Sequence, residues 1–162
     1  MYEHVLLPAA PESVATDAIP HAKQLARPAA ATVHVVSAVD VPPGSRSASW
    51  SDTAAHRIES SAERRVESVT TTLEAAGVDT QGSVVRGNPR RVIANAIDDV
   101  DADVVVMPTH ARTGLERFLL GSVTAHVVRT APVPVCTVPM RDRVDERADP
   151  TRIGLLAGTE SE

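Results

Sequence analysis

The segment between Asp103 and Val138 constrains the fold of this chain more than any other. An apolar run, Val104–Met107, leads directly into a short loop, Pro108–Gly114, and a second strand pattern follows at Val133–Val138. The apolar stretch between them contains Gly121-Ser122-Val123. In open α/β sheets, a strand, a tight loop and a helix in this order place unpaired backbone amides against a phosphate. The segment therefore predicts an anion site near this serine, although a serine there is equally typical of a helix N-cap.

The whole chain alternates between strand and helix patterns. The clearest helix is an apolar stripe over Ala55–Ala76 with Gly77 at the position of a C-cap. Asn88 and Pro89 are typical of an N-cap and a first helical turn, whereas Pro20 predicts a kink or restart in the first helix. Predicted strands cover 4–8, 32–39, 79–86, 104–107 and 135–138, and predicted helices cover about 14–28, 55–76, 89–100 and 118–130. This alternation predicts a parallel sheet with helices on both faces and right-handed connections.

Length and composition limit the classes of function. The chain has 162 residues, which predicts one domain over 1–140 and a charged, flexible tail over 141–162. A net charge of −5 and an aromatic content of 2% argue against nucleic acid as a partner. No apolar run approaches the roughly 18 residues of a membrane span, and the N-terminus lacks a signal pattern, so we expect a cytoplasmic protein without membrane contact. The single cysteine, Cys136, excludes an internal disulfide and a cysteine-based metal cluster.

Four short motifs, in order along residues 1–140, carry a resemblance to a known family. They are Leu7-Pro8 in the opening strand, Val39-Asp40 at the end of the second strand, Gly87-Asn88-Pro89, and the loop that ends in Gly121-Ser122. The chain resembles the universal stress protein family, whose loop reads G-x-x-G, nine residues, then G-S. The resemblance implies a doubly wound, Rossmann-like sheet of five parallel strands in the order 3-2-1-4-5, the adenine nucleotide alpha hydrolase-like fold. It also implies a homodimer that pairs through the last strand, Val135–Val138.

The resemblance further implies a nucleotide pocket at the carboxyl ends of the strands. ATP or AMP would be the ligand, with Mg²⁺ only alongside ATP. Met107 and Ala38 would flank the adenine, and the 109–114 loop and Gly121-Ser122 would hold phosphates. The implied pocket residues are Pro8, Ala38, Met107, Thr109, Arg112, Gly114, Gly121, Ser122 and Val123.

Three positions depart from the family pattern in ways that weaken phosphate binding. Pro108 and Ala111 replace the first two glycines of the loop, and proline has no backbone N–H to donate. Ala10 stands where the family has an aspartate that helps to hold magnesium or phosphate. Three arginines near the strand ends are candidate anion ligands, Arg86, Arg90 and Arg91, but solvated or paired side chains are the favoured interpretation.

The sequence therefore leaves three functions open. The first is a stress-response protein that binds ATP or AMP, with at most slow hydrolysis. The second is a dimeric interaction or signalling module on the same fold that binds no nucleotide, which the three departures favour. The third is a small hydrolase, and it is the weakest because the sequence shows no nucleophile–base pair. We expect no catalytic residues and no metal-ligating cluster.

Overall fold

The computed structural model describes residues 1–10, 17–40, 52–109 and 121–139. The predicted tail over 141–162 lies outside these ranges. The elements in chain order are β1 (His4–Pro8), α1 (Ala18–Ala26), a 3₁₀ turn (Arg27–Ala29), β2 (Thr32–Val39), α2 (Asp52–Ala75), β3 (Thr80–Arg86), α3 (Pro89–Asp99), β4 (Val104–Thr109), α4 (Ser122–Thr130) and β5 (Val135–Pro139).

The five strands form one parallel sheet, as the alternation of strands and helices predicted, in the order β3-β2-β1-β4-β5 that the family resemblance implied. The chain winds from β1 outward to β3 and then crosses back to β4 on the other side of β1. Because crossovers in opposite directions place their helices on opposite faces, α1 and α2 cover one face and α3 and α4 cover the other. The direction of winding changes between β1 and β4, and this is the topological switch point of the sheet.

Alternating side chains of the central strands supply two separate cores. Val5, Leu7 and Val35 are buried under α1 and α2, whereas Leu6 and Val105 are buried under α3 and α4. A strand covered on both faces needs apolar residues at every position, which explains the nearly unbroken hydrophobic runs of β1, β2 and β4.

The helix boundaries follow the signals in the sequence. Gly77 adopts a left-handed φ of 75° after α2, and its amide donates to the Glu74 carbonyl while that of Val78 donates to Leu73. This pair of hydrogen bonds forms a Schellman motif, which satisfies backbone carbonyls at the end of α2. At the start of α3 the Asn88 side chain accepts a hydrogen bond from the Arg90 amide at 3.0 Å. Pro20 lies in the first turn of α1, where a missing N–H costs no helical hydrogen bond.

Gly82 on β3 is required by the close approach of α2. A Cβ atom there would lie 2.5 Å from Val66 Cγ1 and 3.0 Å from Thr70 Cγ2. We expect Gly82→Ala to lower the free energy of unfolding by about 1–3 kcal/mol, because Val66 is β-branched and buried and cannot move aside freely. Urea unfolding measures the change. Gly121→Ala is the control for the added methyl group, since a Cβ there meets nothing within 4 Å. It should lose only the smaller amount expected of an alanine at a helix N-cap, and an equal loss in both variants would contradict the packing argument.

Asp103 ties the start of β4 to the start of β1. Its carboxylate accepts the amide hydrogens of Glu3 at 2.7 Å and His4 at 2.9 Å. The hydrogen bond from His4, followed by that from Glu3, lowers the pKa of Asp103. A depressed folded-state pKa stabilises the protein above the unfolded value of about 3.9, and that contribution disappears as the pH falls through the folded value.

We therefore expect Asp103→Asn to flatten the acid limb of the stability curve. Between about pH 4 and pH 2 the parent protein should lose more unfolding free energy than the variant, because only the parent has this carboxylate to protonate. Urea unfolding at several pH values, compared between the two proteins, isolates this group from the other acids. Parallel curves would show that protonation of this carboxylate does not change the stability of the folded protein.

Candidate functional site

A cleft of about 250 Å³ opens at the switch point, at the carboxyl ends of β1, β2 and β4 and against the amino ends of α3 and α4. Most of its wall is apolar, and no charged side chain is among the described residues that line it. The lining residues are Pro8, Ala9, Ala10, Val36, Ala38, Pro89, Ile93, Met107, Pro108, Gly121, Ser122, Val123 and Thr124. A small apolar cleft bordered by helix amino ends suits a flat, uncharged ring joined to an anionic group.

The cleft exists because β1 and β4 separate before they end. Their paired residues are Val5 with Val104 and Leu6 with Val105, although both strands continue beyond these pairs. The sheet is therefore open between the last residues of β1 and those of β4.

Two prolines account for this opening. Successive amides of a strand point to alternate sides, and the Ala9 amide donates to Val36 on β2, so the nitrogen of Pro8 faces β4. On β4 the Val105 amide donates toward β5, so the nitrogen of Pro108 faces β1. Since proline has no N–H, neither position can donate a hydrogen bond across the gap. The proline in β4 is tolerated for the same reason, because it removes no bond to β5.

The amino end of α4 supplies the polar end of the cleft. Its N-cap is Gly121, which has no side chain to accept a hydrogen bond, and the first helical bond runs from the Ala125 amide to the Gly121 carbonyl at 2.9 Å. The amides of Ser122, Val123 and Thr124 therefore precede the helical hydrogen bonds and carry the positive end of the helix dipole. Ser122 is the first helical residue, so the alternative that its side chain caps the helix is wrong.

The amino end of α3, the second helix that borders the cleft, offers fewer free backbone amides. The Asn88 side chain accepts from the Arg90 amide, and Pro89 has no N–H, so the first turn of α3 is already satisfied in part. Of the two helix ends at the cleft, α4 is the one at which the described residues supply no side-chain cap. An anionic group bound in the cleft would find its hydrogen-bond donors there.

The arginines considered from the sequence do not line the cleft. Arg86 forms a two-pronged ion pair with Glu59 of α2, with bonds of 2.6 and 3.0 Å. The hydrogen bond to Arg86 lowers the pKa of Glu59, and the same contact raises the pKa of Arg86. Arg91 borders a separate groove between β3 and α3. The favoured interpretation from the sequence, a paired arginine, is thus what the structure shows for Arg86.

The cleft brings together six of the nine pocket residues that the resemblance implied: Pro8, Ala38, Met107, Gly121, Ser122 and Val123. Thr109 is buried at the end of β4, and its hydroxyl donates to the Val138 carbonyl at 3.4 Å rather than lining the cleft. Arg112 and Gly114 lie outside the described residues, as does Ala111.

Two further lining residues carry no sequence signal of their own. Val36 and Ile93 are buried members of the core beneath α3 and α4, and both also form the wall of the cleft. Their role follows from the register of β2 and the position of α3, which a single sequence does not give.

Within the described residues, no group of three or more histidine, cysteine, aspartate or glutamate side chains is placed to hold a metal ion. None of the described helices is long and apolar enough to cross a membrane.

The sheet order and the cleft at its switch point define a doubly wound α/β protein, and the switch point is where proteins of this architecture bind their ligands. The chain belongs to the universal stress protein family, whose family model matches residues 1–139. The universal stress protein MJ0531 of Methanocaldococcus jannaschii is 30% identical over 141 residues, which are 85% of this chain and 82% of that protein.

Two solved structures show the same fold. The structure of protein MJ0577 superposes with a TM-score of 0.74 at 25% identity and covers 88% of this chain and 99% of its own. The universal stress protein from Archaeoglobus fulgidus, solved in complex with dAMP, superposes with a TM-score of 0.64 at 22% identity. That match covers 85% of this chain and 98% of the other.

Proposed function

We propose that this universal stress protein binds an adenine nucleotide in the cleft between the ends of β1 and β4. The observation that carries the proposal is the cleft itself, which combines an apolar wall with the uncapped amino end of α4. Adenine is a flat ring that suits the space between Ala38 and Met107, and a phosphate suits the amides of Ser122 and Val123. The Archaeoglobus fulgidus protein of the same fold, with dAMP bound, supports the choice of ligand class.

The described part of the cleft favours AMP over ATP as the ligand. Ala10 lines the cleft at the position where the family has an aspartate, and an alanine offers no oxygen for a magnesium ion. The nitrogen of Pro108 faces the gap without a hydrogen to donate. One phosphate group can be satisfied by the end of α4, whereas a chain of three needs more donors or a metal ion.

Isothermal titration calorimetry with AMP, and separately with Mg-ATP, tests the proposal. We expect saturable binding of AMP, with Mg-ATP binding no more tightly. Ser122→Ala should weaken AMP binding by less than about tenfold, because it removes one hydroxyl and leaves the backbone amides in place. Ser83→Ala on β3, which lies outside the cleft, is the matched control. No heat with either nucleotide at millimolar concentration, from a sample shown to be folded, would overturn the proposal.

The second candidate is a dimeric interaction module, which Ala10 and Pro108 in the cleft favour. We propose a homodimer through β5, because β5 is an edge strand of the sheet and pairs only with β4 within the part of the chain that the structure describes. Val135 and Cys136 on it are only half-buried. Sedimentation equilibrium measures the mass directly; a monomer at micromolar concentration would contradict the dimer. A dimer that binds no nucleotide would make the interaction module the better account.

A further inference from the structure

Two histidines lie side by side at the amino end of the sheet, away from the cleft. His4 is on β1 and His34 on β2, where His34 is level with Leu6 in the parallel register. His4 Nδ1 and His34 Nε2 are 3.1 Å apart, with ring centroids 5.2 Å apart and ring planes inclined by 48°. Both side chains are half-buried. Without a ligand, this distance is that of a hydrogen bond in which one ring donates and the other accepts.

The same geometry is close to that of two ligands on one metal ion. Zinc–imidazole bonds of about 2.0–2.1 Å in a tetrahedral arrangement place two donor nitrogens about 3.3–3.4 Å apart. A small rotation of the rings brings the observed 3.1 Å into this range. The two histidines are fixed by the ladder between β1 and β2, so little ordering is required when an ion binds.

The surroundings of the pair suit a cation. The carboxylate of Asp103 accepts the amide hydrogen of His4, and the Asp103 amide donates to the His4 carbonyl at 2.9 Å, which fixes the backbone of the first ligand. The neutral form of each imidazole ring has a lone pair that a metal ion can accept.

We propose that His4 and His34 form a two-histidine site for a transition-metal cation of the zinc, copper or nickel class. Imidazole nitrogen is a good ligand for these ions, whereas magnesium and calcium prefer oxygen. The described residues supply no cluster of three or more ligating side chains, so water completes the coordination. The ion links β1 to β2 at the opposite end of the strands from the nucleotide cleft, and the site does not depend on nucleotide binding.

Zinc titration of the full chain, freed of any affinity tag and treated with chelator, tests the proposal at pH 7.5. Zinc at about 100 times its Kd should raise Tm by about 5–10 °C, and magnesium at the same concentration should not. His4→Gln and His34→Gln should each lower zinc affinity at least about tenfold, because one imidazole remains. The exposed His21 on α1 gives the matched control, His21→Gln, which should bind zinc like the parent. Unchanged zinc binding in His4→Gln would overturn the site.

Copper binding to the parent protein provides a second test. It needs no variant, so it can be carried out even if His34→Gln does not fold. The electron paramagnetic resonance spectrum of the parent protein with one equivalent of Cu²⁺ should show hyperfine coupling to two imidazole nitrogens. Coupling to one nitrogen or none, or a Tm that zinc leaves unchanged, would show that the pair is only a structural hydrogen bond.

Discussion

Gly121→Asp is expected to weaken AMP binding on the order of 30-fold or more while making the folded protein slightly more stable. An aspartate at the N-cap accepts hydrogen bonds from the first-turn amides of its own helix and places a negative charge at the positive end of the dipole. Its carboxylate thus occupies the donors that we assign to the phosphate and repels a second anion. The structure leaves room for the side chain, because a Cβ at Gly121 meets nothing within 4 Å and φ is −53°.

Calorimetry with AMP and thermal unfolding of the same samples measure the two effects. The gain in stability should be a few tenths to about 1 kcal/mol, the range for an N-cap and a favourable dipole contact. Gly121→Ala is the control, since it adds a Cβ but no acceptor and no charge, so it should retain most of the affinity for AMP. If Gly121→Asp is folded and binds AMP as tightly as the parent protein, the phosphate does not lie at the end of α4.

Replacing Pro108 by glycine is expected to tighten AMP binding about tenfold. The nitrogen of Pro108 faces β1 across the open switch point, and the residue lines the cleft. A new N–H at this position points into the gap and can donate to an anionic oxygen, a bond that contributes about 1.5–3 kcal/mol when its partner is charged. The substitution should cost about 1 kcal/mol of stability, because glycine gives the unfolded chain more freedom than proline does.

Pro108→Ala separates the amide from the flexibility of glycine. Alanine also restores the N–H, but it keeps a side chain and the ordinary backbone preferences. A gain in affinity in both variants would assign the effect to the amide, and a gain in the glycine variant alone would assign it to a change in the backbone conformation at the end of β4. No gain in either variant would mean that the bound anion does not reach the gap between β1 and β4.

Much of the fold could be predicted from local signals in the sequence. Gly77 and the pair Asn88-Pro89 marked helix ends because each satisfies backbone groups that a helix leaves free. The predicted fourth strand ended at Met107, whereas β4 continues to Thr109. Pro108 is tolerated within the strand because its nitrogen faces β1 beyond the last hydrogen-bonded pair of the two strands. The strand order came from the family resemblance, since periodicity alone does not order parallel strands.

The residues of the site that belong to a local sequence motif could be predicted. The residues that reach the site through the packing of a helix on the sheet could not. Gly121 and Ser122 were found through the spacing of the family's loop motif, although the predicted helix began at about 118 and Gly121 is instead the N-cap of α4. Ser122 is the first helical residue of α4, one position after the N-cap that the alternative interpretation assigned to it. This difference of one residue decides where its hydroxyl can reach. The contribution of Ile93 to the wall could not be found, because it depends on how α3 lies across the sheet.

The most direct test of the central claim is a titration of ¹⁵N-labelled protein with AMP, followed by two-dimensional amide NMR. We expect the largest chemical-shift changes at the amides of Ser122, Val123 and Thr124, with smaller changes at Ala38 and Met107 near the adenine. Saturation of these shifts should give the same affinity as calorimetry. Amide signals of 122–124 that stay in place while AMP shifts another surface, or that stay in place at saturating AMP, would contradict a phosphate site at the end of α4.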